Sequence, residues 1–128
     1  MMKVILLGLV LVVSACAYRQ QPIYAPSNAM PSAIAGKSLD RIGASIERAS
    51  TPHNWTMRTV APGRIQASHA QDRMSANVEI VFDARSWRIE YRSSMGLFEK
   101  DGRIHSHYNV WVRNLEQDIA AQLALVQP

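Results

Sequence analysis

The chain holds a single cysteine, Cys16, so no disulfide can staple its fold. Charged residues make up only 19%, and no run of like charge occurs. The excess of 14 basic over 10 acidic side chains is mild and scattered, and eleven of the basic residues are arginines. That pattern argues against nucleic acid as a partner, while tolerating anionic surfaces. No apolar stretch reaches the roughly twenty residues of a bilayer-spanning helix. There is no internal repeat and no cofactor motif.

Catalytic and metal motifs are missing too. Ser93-Ser94-Met95-Gly96 is not the Gly-x-Ser-x-Gly elbow of a serine hydrolase. The histidines, His53, His69, His105 and His107, lack zinc-ligand spacing, so no metal is expected. His105 and His107 would share a face only in an extended segment, because on a helix they diverge by about 200°. Glu79 and Glu90 could face one another as a glycosidase pair requires, but neighbouring arginines would keep both ionised, whereas a general acid needs a raised pKa. A non-enzymatic protein is the expectation.

What is present is concentrated at the start. Lys3 opens a short positive segment, and Val4 to Val13 is almost unbroken apolar sequence. Ser14 and Ala15 are small and lead into Cys16. This looks like a bacterial lipoprotein signal peptide over residues 1–15 with its lipobox. Cleavage would fall between Ala15 and Cys16. The Cys16 thiol would carry a diacylglyceryl thioether, and two or three acyl chains give stable anchoring. Competing readings are an ordinary signal peptide cut near Ala15 or Ala17, an uncleaved anchor, or a buried strand of a cytosolic fold. Ala17, where sorting in enterobacteria reads Asp as retention, points to the outer membrane.

Residues 16–31 read as a tether, with Pro22, Pro26 and Pro31 among polar residues and no periodicity. Fully extended, it would lift a domain roughly 50 Å. Tyr18, Ile23 and Tyr24 could instead dock on the domain or lie among headgroups. Residues 32–128 read as one small α+β domain. Ala35, Leu39, Ile42, Ile46 and Ala49 form one stripe of an amphipathic helix over Ser32–Ala49, with Ser32 as N-cap. Three or four antiparallel strands follow: Trp55–Val60 continuing into Arg64–His69 through the turn Ala61-Pro62-Gly63, then Ser75–Asp83 and Trp87–Arg92. Alternation is clearest in the last two. Ser93–Gly102 reads as a polar loop in which Met95, Leu97 and Phe98 could fold back on the core. A C-terminal amphipathic helix spans about His105–Val126, capped by Asp101 or Ser106. Its stripe includes Tyr108 and Trp111, read as core.

The two helices would cover one sheet face. The other would carry Arg64, Gln66, Asn77, Glu79, Arg88, Glu90 and Arg92, a candidate ligand or partner face against the plain alternative of a solvated surface.

From Pro62-Gly63 onward the sequence resembles a group of small Gram-negative outer-membrane lipoproteins with no assigned activity. Pro62-Gly63-Arg64-Ile65-Gln66-Ala67, Val78-Glu79-Ile80, the run Trp87 to Ser94 and the run Ile104 to Leu115 carry the likeness. It implies a one-domain lipoprotein in the periplasm and no catalytic residue. Two functions are compatible. One is an accessory or adaptor for an envelope protein partner. The other is a direct binder of peptidoglycan or anionic lipid through the arginine face.

Overall fold

The computed structural model describes residues 19–125. The leader, Cys16 and the expected helix end at Val126 lie outside them. The described chain is α+β. Strands β1 (Gln20–Pro22) and β2 (Ser27–Ala29) come first, then helix α1 (Leu39–Glu47), which runs into a 3-10 turn at Arg48–Ser50. Strands β3 (Thr56–Ala61), β4 (Arg64–Gln71), β5 (Met74–Phe82), β6 (Ser86–Met95) and β7 (Arg103–His105) follow, and helix α2 (Ser106–Leu123) closes the fold. Five strands make one antiparallel sheet in the order β2-β6-β5-β4-β3, and β1 pairs with β7 in a second, two-stranded sheet.

Alternation explains the sheet. Ile65, Ala67, Ala76, Val78, Ile80, Trp87 and Ile89 all point inward and are buried. They form one core cluster with Ile42 and Ile46 of α1 and with Tyr108, Trp111, Val112, Leu115, Ile119 and Leu123 of α2. Each such large side chain contributes about 1.5–3 kcal/mol on burial. Gly63 makes the β3–β4 turn possible. Its φ is +77°, and a Cβ there would lie 2.5 Å from the Phe82 carbonyl oxygen. Among the described residues no helix is long and apolar enough to cross a membrane.

The tether reading is corrected from Gln20 onward. Gln20–Pro22 pairs with Arg103–His105, and Ser27–Ala29 pairs with Ser86–Arg88. Met30 is buried, and Ile23 and Tyr24 pack on the core. The holding residue is Asn109, buried on α2. Its Oδ1 accepts from the Tyr24 amide at 2.9 Å, and its Nδ2 donates to Gln21 Oε1 and the Pro22 carbonyl at 3.0 and 2.9 Å. The folded body thus begins near Gln20, not at Ser32. These strands show no period in the sequence because each is three residues long, β1 ending on Pro22 and β2 following Pro26.

Three boundaries also move. Helix α1 starts at Leu39, with Ser38 Oγ as the cap accepting from the Arg41 amide. Gly36, at φ +77°, takes a left-handed conformation that ends any helix begun at Ser32. Ser93–Met95 prolongs β6, and Arg103–His105 forms β7 where loop or helix was expected. Of the three apolar residues that could fold back, only Leu97 does. The α2 cap is neither Asp101 nor Ser106 but His105, whose Nδ1 accepts from the His107 amide at 3.1 Å.

Candidate functional site

The sheet register sets the outer face in rows. Arg64, Val81 and Arg88 stand opposite one another in the first row. Arg58, Gln66, Glu79 and Glu90 form the second, and Thr56, Ser68, Asn77 and Ser93 the third. Between Val78 and Asn77 the pairing jumps from Tyr91 to Ser93, leaving Arg92 as an extra residue. This bulge aims Arg92 back toward Glu79.

All five residues of the candidate face therefore meet. Glu79 Oε1 accepts from Arg64 Nη1 at 2.5 Å, while Oε2 accepts from Arg92 Nε and Nη2 at 3.1 and 2.8 Å. Arg88 Nε donates to Glu90 Oε1 at 2.8 Å, and Arg92 Nη2 lies 3.9 Å from Glu90 Oε2. Two carboxylates directly across a strand pair repel; here the arginines bridge them. The reading of Glu79 as solvated is corrected, because its side chain is 7% exposed beneath two half-exposed guanidinium groups. Burial alone pushes the Glu79 carboxyl up. The hydrogen bonds and charges of Arg92 and Arg64 outweigh that and hold it below the usual carboxylate range. A carboxyl so held is an ionised acceptor and a poor proton donor.

Arg58 belongs to this face and was not singled out from sequence. Its Nη2 donates to Gln66 Oε1 at 3.0 Å, and among the described residues it forms no ion pair. Unbroken alternation across the Pro62-Gly63 turn would put Thr59 opposite Gln66; the register shift between Thr59 and Ala61, which leaves Val60 unpaired, brings Arg58 there instead, and nothing in the sequence signals it. Arg58, Gln66, Ser68, Asn77, Glu79 and Arg92 line a shallow groove of about 660 Å³. Each guanidinium has five N–H donors, so those unused by Glu79 and Glu90 remain to meet carboxylates or carbonyls set down on the sheet. Among the described residues, β3 pairs on one side only, leaving a six-residue edge beside the groove.

The histidines fall in two places. His105 and His107 do approach, with ring centroids 4.5 Å apart, because His105 is still extended when the helix begins. Burial lowers the His105 pKa first, aided by the charges of His107 and Arg19, and a neutral ring is what its acceptor role requires. His69 lies between Trp55 and Trp111, at centroid distances of 5.2 and 4.6 Å, and His53 Nδ1 meets Asp118 Oδ2 at 2.5 Å. Among the described residues no cluster of three metal-ligating side chains forms. Tyr108 and Trp111 are buried in the core. Burial drives the Tyr108 hydroxyl far above its ordinary pKa, assisted by Tyr91.

No family model, curated protein or solved structure matches the chain.

Proposed function

We propose that this protein is a lipid-anchored accessory or adaptor of the Gram-negative envelope. The anchor is Cys16, the membrane is the outer one, and the α+β domain, a meander with its two helices on one face, stands in the periplasm. The lipobox sequence Ser14-Ala15-Cys16 and the small-lipoprotein likeness support the anchoring. The observation that carries the adaptor role is the outer sheet face, where Arg64, Arg88 and Arg92 are already bridged by Glu79 and Glu90. A surface of alternating, mutually fixed charges suits a polar protein partner better than a bare phosphate. The adjacent β3 edge offers main-chain groups to the same partner.

Crosslinking in intact cells followed by mass spectrometry tests this. A defined envelope protein should be captured through side chains bordering the groove. Absence of any such partner across growth conditions would refute the adaptor role.

A second reading is direct binding of peptidoglycan or anionic lipid. Arg58, whose partner among the described residues is the neutral Gln66, favours it. Purified sacculi and lipopolysaccharide should then retain the domain, and Arg58→Glu with Arg88→Glu should abolish retention. Arg92 is left in place in that variant, because removing it would expose Glu79.

A further inference from the structure

Two of the most exposed large apolar side chains sit where the chain enters the fold. Phe98 is 75% exposed and Met95 is 72% exposed. Phe98 also holds a left-handed backbone conformation, φ +53°, which disfavours a bulky side chain. Both the conformation and the exposure are costly for an aromatic side chain.

Their position follows from the hydrogen bonds. Gln20 pairs with His105, and the His105 amide donates to the Leu97 carbonyl at 2.9 Å. Strand β7 thus lies between β1 and the segment bearing Phe98. Two strand spacings separate Gln20 from that segment, about 10 Å. Met95 is two residues further back, and the neighbouring Gly96 packs on the Arg73 backbone of the β4–β5 turn. The charged side chains around this end are Arg19, Arg73, Lys100 and Arg103 against Asp72, Glu99 and Asp101, and all are exposed.

Cys16 is four residues before Gln20, so the link between them spans at most about 14 Å. A body of this length has a radius of gyration of roughly 13 Å. Such a leash cannot hold the domain clear of the surface to which Cys16 is fixed. Whichever side bears Gln20 must lie against it.

We propose that Phe98 and Met95 form a membrane-docking tip, seated in the interfacial region of a phospholipid bilayer and rimmed by side chains of both signs, Arg19, Lys100 and Arg103 with Glu99 and Asp101. This rests on the lipid anchor at Cys16 proposed above. The occupant is the lipid surface itself, since the leash brings the bilayer to this end of the molecule before any other partner. The anchor makes docking an intramolecular step, so two side chains suffice where a free domain would hold weakly. The sheet then projects its far turn, Asp83–Ser86, away from the bilayer, with the nine residues of β5 giving about 30 Å of separation.

The test uses the lipid-bearing protein in vesicles of phosphatidylethanolamine and phosphatidylglycerol at three to one. Acylation blocks Cys16, so Phe98→Cys, Met95→Cys and Arg85→Cys each offer one free thiol for an environment-sensitive fluorophore. The first two each leave the other apolar side chain in place. The expected result is a blue shift and loss of intensity to nitroxide-bearing lipids at positions 98 and 95, with a water-like, unquenched signal at 85. Water-like signals at both 98 and 95 on a protein whose intact mass shows the lipid would overturn the docking tip and leave the anchor standing. A membrane signal at 85 would also overturn it. An intact mass showing an unmodified Cys16 thiol would overturn the anchor, and this proposal with it.

Discussion

Replacing Glu79 by Gln keeps the shape of the side chain and removes its charge. Glu79 accepts three hydrogen bonds from two arginines. Bonds to a charged group are worth about 1.5–3 kcal/mol against about 0.5–1.5 for neutral ones, a difference near 1 kcal/mol per arginine. Both guanidinium groups are about half exposed, which screens part of that difference. The expected loss at pH 7 is therefore about 1–2 kcal/mol. For a domain of this size that lowers Tm by roughly 5–10 °C. Because the Glu79 pKa is depressed in the folded state, its stabilisation is complete above the unfolded carboxyl pKa and fades as pH falls through the folded value. The gap between melts of the two proteins, followed by tryptophan fluorescence, should narrow as pH falls below the ordinary carboxylate range. A gap that stays constant from pH 7 to pH 3, or no gap at pH 7, would refute the account of Glu79 as an ionised keystone.

Removing the first strands gives a second expectation: a chain beginning at Ser32 should lose cooperative unfolding in urea, whereas one beginning at Arg19 should retain it. Asn109→Ala should cost about 2–3 kcal/mol in urea, because it orphans the Tyr24 amide, and exchange of that amide should quicken sharply. Gly63→Ala should destabilise by roughly 3 kcal/mol, since its Cβ meets backbone. Gly36→Ala, with the same φ and open space around it, should cost only about 1 kcal/mol.

How far the sequence speaks depends on the range of the interaction. Trp87, Ile89 and Tyr91 against Arg88 and Glu90 declare strand β6 by themselves, and the same alternation places Arg64, Arg88, Glu90 and Arg92 on one face. Local chemistry does not tell that Arg92 sits in a bulge, so it does not tell that Glu79 gains a second guanidinium and becomes buried. The three-residue strands β1 and β2 are defined by partners over fifty positions away and by Asn109 on the last helix. Pro22 and Pro26 favour disorder when read in isolation, and tertiary pairing overrides them. Ser32 and Ser38 are equally good caps by type. Gly36 decides between them through a backbone angle that composition only hints at.

The clasp of β1 onto β7 has a consequence for how the molecule is assembled. Gln20 finds its partner only when His105 is available. A chain supplied from its amino end therefore carries its opening strands unmatched until nearly the whole domain has arrived. Completion is postponed to the last moment of delivery, and closure of such distant segments is intrinsically slow. The same arrangement makes the finished body resist unravelling from its leading end, because tension entering at Gln20 is borne at once by the last strand and the last helix.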